Sequence, residues 1–365
     1  MTTCDVIVIG GGIAGIGAAA HLGTDAKVVV LETEDAPGKH STGRSAAIFI
    51  RNYGNATLRA LNAASEPVLA SGGDFGEEGF LSPRGELMIA TESELDAIDA
   101  YLAGADDMPR ITPREAVEMV PILREDAIAA AAIERHARDI DVDRLLQSFL
   151  RSARHAGTTF HPKAPAQSIV RDGATWRVTA GGETFEAPIV INAAGAWADK
   201  VAEMAGVARV GLQPMRRSAA ILPAPDGHDV SRWPAVVSAS ESWYAKPEAG
   251  KLMVSPADED PVDPHDAWPD DMVMAEGLHR YETATTVPVT RVERTWAGLR
   301  NFVPDRTPVV GFAPDAAGFF WLAGQGGYGI QTSPALSRLA ADLCLSRKPA
   351  LDDAVVAALD PARLS

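Results

Sequence analysis

Apolar positions along this chain fall in short runs whose period changes from one stretch to the next. Val6-Ile7-Val8-Ile9 is uninterrupted and β-branched, which predicts a strand buried on both faces, as in a parallel sheet. Ile13 to Leu22 is Ala-rich and predicts a helix; Lys27 to Leu31 predicts a second buried strand. Thr57 to Leu69 and Ser93 to Leu102 have helical periodicity, and Leu87 to Thr91 reads as a strand. Thr112-Pro113-Arg114-Glu115 combines an N-cap, a proline at the first helical position and a glutamate at the third, so a short helix starts there and Pro121 ends it. Val142 to His155 predicts a longer amphipathic helix, introduced by Asp139, Asp141 and Asp143 at its positive end. Short strands with a hairpin at Gly181-Gly182 follow, then Ile189 to Ile191 as another buried strand running into a helix that ends near Ala205.

From Leu212 to Arg300 the pattern shortens and prolines become frequent, with a helix only at Met272 to Thr285. This predicts a largely antiparallel α+β insertion between pieces of a doubly wound α/β domain. Val309 to Gly311 and Phe319 to Leu322 return to strand pattern, and Gly324 to Gly329 is a glycine-rich turn into a last helix ending near Leu345, with Pro334 in its first turn. The expected division is 1–83, 140–212 and 299–365 for the nucleotide domain, and 84–139 with 213–298 for the second domain.

Between the first strand and helix, Gly10, Gly12 and Gly15 stand in G-x-G-x-x-G spacing. Gly10 allows a tight turn, Gly12 lets backbone approach a pyrophosphate, and Gly15 lets helix and strand pack closely. The helix N-terminus offers unpaired N–H groups to phosphate. Glu32 follows by about 20 residues, where a carboxylate accepts from ribose hydroxyls; an acid there favours FAD or NAD over NADP. Ser41-Thr42-Gly43-Arg44-Ser45 reads as a loop with hydroxyl and N–H donors placed for a second cofactor contact. Ala194 and Gly195 close the strand at Ile189 with small residues that permit close packing against a cofactor.

The chain has 365 residues, enough for about two domains, and a net charge of -16, which argues against nucleic acid or an anionic membrane as partner. No apolar run approaches the roughly 18 residues of a membrane span, and no signal peptide is evident, so a cytoplasmic protein is expected. Cys4 and Cys344 lie at opposite ends, and no cysteine or histidine spacing suggests a metal site. Lys246 precedes Pro247 in a turn-like stretch and reads as exposed, the alternative being a place near a bound flavin, where a cation could promote reaction with oxygen. Arg217 and Arg300 border the insertion; each is either a solvated surface charge or a planar group able to grip a carboxylate.

The ordered set of motifs resembles the D-amino-acid oxidase superfamily of FAD enzymes, within the glycine oxidase and sarcosine oxidase group, and is most similar to bacterial D-arginine dehydrogenases. It comprises the N-terminal nucleotide motif, Ser41 to Ser45, Asn192-Ala193-Ala194-Gly195-Ala196-Trp197, Trp296-Ala297-Gly298-Leu299-Arg300 and Gly326 to Gln331. The resemblance implies a Rossmann-type FAD-binding domain with an inserted substrate domain, and non-covalent FAD held by Gly10, Gly12, Gly15, Glu32, Ser41 to Arg44, Ala194, Gly195 and the turn Gly326, Gly327, Tyr328, Gly329, Ile330. It further implies that Arg217, Arg300 and Tyr244 hold a substrate carboxylate, with Gly327 and Gln331 on the amine side. Tyr53 and Glu86 would line the side-chain pocket, with Ile48 and Ile50 where that enzyme has polar groups. The activity implied is oxidation of basic or hydrophobic D-amino acids by hydride transfer from Cα to flavin N5, with an electron acceptor that is not implied. A glycine or sarcosine type amine oxidase and a non-catalytic flavin-binding subunit are the alternatives.

Overall fold

A computed structural model describes residues 1–364. Its first sheet has six strands in the order Thr159–His161, Val28–Leu31, Val6–Ile9, Ile189–Asn192, Phe319–Ala323, Val309–Phe312, all neighbours parallel except the last pair. Both apolar runs near the N-terminus are buried along their whole length, as expected of central parallel strands. Val6 and Val8 face helices Ile13–Leu22, Val142–His155 and Ser333–Cys344. Ile7 and Ile9 face a four-stranded sheet built from residues 2–3, 166–172, 175–180 and 183–187, which contributes Trp176, Val178 and Phe185. The hairpin at Gly181-Gly182 joins two of those strands.

Helix Val142–His155 buries Leu145, Leu146, Phe149 and Leu150 on one face, and Asp141 caps it by accepting from Arg144 N at 2.9 Å. Asp139 does not serve the helix end as expected. It accepts from Arg84 Nη2 at 2.6 Å and from Lys246 Nζ at 3.1 Å, tying the short strand Arg138–Ile140 to the second sheet.

The second sheet has nine strands and is antiparallel except where Ala235–Ser238 runs parallel to Glu86–Ala90. Its longest strands, Gln213–Leu222 and Arg294–Phe302, pair along their length. The latter crosses position 299, so the expected domain boundary cuts a single strand. Period-two alternation assigns the two faces. Leu87, Ile89, Ile133, Val236, Leu252 and Val254 pack against helices Pro113–Met119 and Asp271–Ala284. The opposite face looks toward the nucleotide domain.

Three local differences from the pattern have simple causes. Ser41–Arg44 is a 3-10 turn, closed by Gly43 N donating to Gly38 O at 2.7 Å. Pro67 lies inside helix Ala56–Ser71, which begins at the Asn55 cap and runs past it to a left-handed Gly72. A further helix, Asp353–Leu359, buries only Leu359, too little apolar periodicity to read from sequence. Among the described residues no helix is long and apolar enough to cross a membrane.

Candidate functional site

A continuous cavity of about 740 Å³ runs between the C-terminal ends of the parallel strands and the free face of the nine-stranded sheet. At the nucleotide end it is lined by Gly10, Gly12, Glu32, Ser41, Thr42 and Arg44. Gly10 has φ of 111°, and a Cβ there would lie 2.3 Å from Ala193 O, so only glycine fits. Gly15 lies off the cavity and does its packing work instead: a Cβ there would lie 2.0 Å from Gly10 O. Helix Ile13–Leu22 starts at Gly12 with no capping side chain of its own; Thr42 Oγ1 accepts from Ile13 N at 3.1 Å. Glu32 accepts from Gly11 N at 2.6 Å and from Glu34 N at 2.8 Å, one bond per oxygen, which leaves lone pairs for hydroxyl donors. A glycine turn, a helix N-terminus beside the cavity and a fixed carboxylate fit a dinucleotide with a free ribose diol.

Ser41 Oγ donates to Leu299 O at 2.7 Å, and Arg44 donates to Ala267 O, Ala297 O and Asp266. Both therefore join the two domains as well as lining the cavity. Ala194, Gly195 and Trp197 of the second motif line it too, along with Lys200 and Met204, which no sequence motif singled out. Gly43 does not reach the cavity, because its turn is folded against Gly38.

At the sheet end the strand register matters most. Met215 pairs with Arg300 and Arg217 with Gly298, so Arg217 and Arg300 are diagonal neighbours on the cavity face. The adjacent Arg216 points away, to Asp258 at 3.4 Å and Asp260 at 2.6 Å. Arg300 Nη1 donates to Tyr53 Oη at 3.2 Å. Arg217 Nε is buried without a partner. Arg217 Nη2 lies 3.3 Å from Glu259 Oε1, yet burial and the nearby Arg300 still push the Arg217 pKa down from its ordinary value. Tyr244 lines the same region.

The glycine-rich turn meets this pair. Gly326 N donates to Asn301 O at 2.9 Å, and Gly326 has φ of 52° with the Phe302 ring where a Cβ would be. A Cβ on Gly327 would lie 2.9 Å from Arg300 Cζ, so the bare glycine leaves room for the guanidinium. Gly329 and Ile330 also line the cavity, whereas Tyr328 lies behind it, its ring packed at a 57° tilt against that of Tyr53 with centroids 4.8 Å apart. Gln331 borders the cavity, but its amide is spent: Oε1 accepts from Ile50 N at 3.2 Å and Nε2 donates to Asn62 Oδ1 at 2.8 Å. It fixes the segment carrying Ile50 rather than presenting a free amide to a ligand.

Beyond the arginines the cavity is walled by Ile48, Ile50, Met88, Tyr101 and Val237, and Glu86 lies among them. Glu86 is 7% exposed and its Oε2 has no partner. Burial, then the carboxylates of Glu134 and Glu241, raises its pKa well above the usual carboxylate range. Glu134, directly opposite in the strand register, keeps its own carboxylate satisfied by Arg51 N at 2.8 Å and Asn52 Nδ2 at 2.6 Å. Met88 and Lys246 share the cavity-facing parity of Glu86 and Tyr244, Met88 within a strand that the sequence predicts and Lys246 within one that it does not. Tyr101 and Glu241 had no such signal. Lys246 is buried, not exposed, held by Asp139 and by Glu248 at 3.0 Å.

Comparison with known proteins agrees with this geometry. The family model for FAD dependent oxidoreductases, DAO, matches residues 5–343. The glycine oxidase of Geobacillus kaustophilus is 26% identical over 373 residues, covering 95% of this chain and 94% of that protein. Its crystal structure superposes with a TM-score of 0.84 at 24% identity, over 96% of this chain and 97% of that one. The L-proline dehydrogenase of P. horikoshii gives 0.84 at 22% identity, over 99% and 98%. The L-alpha-glycerophosphate oxidase of Mycoplasma pneumoniae with FAD bound gives 0.85 at 17% identity, over 96% and 98%. The structural likenesses establish the shared fold, and the curated relatives include glycine oxidases without singling out a D-arginine dehydrogenase. With the match spanning nearly its whole length, the chain belongs to the DAO family of FAD-dependent oxidoreductases.

Proposed function

We propose that this enzyme oxidatively deaminates D-amino acids with basic or hydrophobic side chains. The observation that carries the reading is one cavity with two arginines at one end, Arg217 and Arg300, able to grip a carboxylate, and a buried acid with an unpartnered oxygen, Glu86, among apolar walls. Gly10, Gly12, Glu32, Thr42 and Ala194 would hold FAD, and bound FAD supplies the acceptor for the hydride leaving Cα. The chain's own residues orient the substrate. Two guanidinium groups fix a planar carboxylate against rotation, with Tyr53 and Tyr244 beside them. Oxidation of the C–N bond yields an imino acid, which water converts to a 2-oxo acid and ammonia. Ile48, Ile50 and Met88 would contact the aliphatic stem, and Glu86 would meet a terminal cation. The D configuration rests on the resemblance to D-arginine dehydrogenase; the electron acceptor is a separate question.

A second reading, an oxidase of glycine or of an N-methylated amino acid, is favoured by the glycine oxidase relatives. Product analysis separates the two. The proposal expects one equivalent each of ammonia and the side-chain-bearing 2-oxo acid from D-arginine or D-methionine. Formaldehyde from sarcosine, with those D-amino acids inert, would establish the second reading instead.

FAD is proposed to be bound without a covalent bond to cysteine, because Cys4 is buried in the core, Cys344 ends a helix, and neither lines the cavity. Acid precipitation of the yellow protein is expected to leave the chromophore in the supernatant. Colour retained in the pellet would contradict this.

A further inference from the structure

We propose that Glu259 is a positioning and charge-tuning residue for the carboxylate end of the site, weakening the hold of Arg217 and Arg300 so that product can leave. This rests on the carboxylate reading above. Asp258, Glu259 and Asp260 run beside strand Gln213–Leu222, and their side chains alternate with its own. Asp258 accepts from Ser218 N at 2.6 Å and Ser218 Oγ at 2.8 Å, and with Asp260 it holds Arg216 on the outer face. Glu259 turns the other way. Its Oε1 lies 3.3 Å from Arg217 Nη2, 3.9 Å from Arg300 Nη1 and 2.9 Å from Arg306 Nη2. Arg306 is itself anchored, its guanidinium 3.8 Å from the centroid of the Phe302 ring.

Neither Glu259 nor Arg306 lines the cavity, so one carboxylate is shared among three cations from outside it. The two cavity arginines, with Arg306 adding its charge from behind, would bind substrate and 2-oxo acid product alike, since both carry a carboxylate, and such uniform binding does not speed turnover. A resident negative charge behind the pair offsets part of that attraction without blocking the site. The arginines hold the Glu259 carboxyl below its usual range even though burial acts against it, so the charge is present at neutral pH.

The test is benzoate titration of the FAD-loaded enzyme, followed by the absorbance change of the bound flavin. Glu259→Gln keeps an amide oxygen for Arg306 but removes the charge. It is expected to tighten benzoate about three- to tenfold at low salt, from the scale of partly exposed charge interactions, and less at high salt. Product inhibition by the 2-oxo acid should strengthen in parallel. Arg306→Ala, which frees Glu259 to lean wholly on the buried pair, should weaken benzoate. Opposite signs from two members of one ion pair are not the result of a general loosening. Unchanged or weaker binding in Glu259→Gln, with the loss expected in Arg300→Ala intact, would overturn the role of Glu259 alone. Unchanged binding in Arg300→Ala would overturn the carboxylate reading and this inference with it.

Discussion

Replacing Arg300 by alanine is expected to lower kcat/KM by roughly 30- to 1000-fold, mostly through KM. Arg300 lies half-buried on the cavity face, diagonal to Arg217. Removing one guanidinium from a desolvated carboxylate grip costs about 2–4 kcal/mol, and each 1.36 kcal/mol is about tenfold. The loss should be common to basic and hydrophobic substrates, because every amino acid carries the carboxylate. Arg300→Lys should recover only part of it, since a point charge does not reproduce the bidentate fork. Gly327→Ala should act in the same direction but more weakly, because its methyl group displaces a flexible guanidinium end rather than backbone. Steady-state kinetics checks all three; an Arg300→Ala enzyme with unchanged KM would remove Arg300 from the substrate site.

Glu86→Gln is expected to separate the two substrate classes. For D-arginine or D-lysine it should depress kcat/KM by about 30-fold, the scale of a lost charge-assisted bond in a buried setting. For D-methionine or D-phenylalanine the change should stay within about threefold, because a neutral amide of the same shape fills the same space. The pH dependence gives a second handle. In the folded enzyme Glu86 has a raised pKa, so it is neutral below that value and charged above it. A cationic side chain prefers the charged form. The ratio of kcat/KM for D-arginine over D-methionine should therefore climb as pH rises through the raised pKa, which lies above the ordinary carboxylate range. The ratio cancels ionisation of the substrate amine, which both substrates share. In Glu86→Gln it should be flat. An equal loss for both classes would show that Glu86 is not the counter-ion.

Much of the nucleotide end was legible because its requirements are local. A tight turn, a helix N-terminus and an acid at the end of the next strand each have a residue signature over Val6 to Glu32, and each lies where that signature expects. The substrate end was legible only in part, because it depends on register between distant strands. Sequence could not decide between Arg216 and Arg217; the pairing of Arg217 with Gly298 does, by placing Arg217 on the cavity face. Gln331 has the residue type of a ligand contact, yet its amide is consumed by Ile50 and Asn62, partners more than 260 positions away in the chain. Lys246 shows the same limit in reverse. Beside Pro247 it reads as an exposed turn residue, but it lies within strand Tyr244–Glu248 and is buried against Asp139.

We propose that the cavity selects D-amino acids with basic or hydrophobic side chains. Anaerobic mixing of the FAD-loaded enzyme with single amino acids tests it most directly, because loss of the oxidised flavin's colour reports the first half-reaction whatever acceptor follows. The account predicts bleaching by D-arginine, D-lysine, D-methionine and D-phenylalanine, and none by their L-enantiomers. Bleaching by glycine or sarcosine alone, or by L-amino acids in preference, would contradict it.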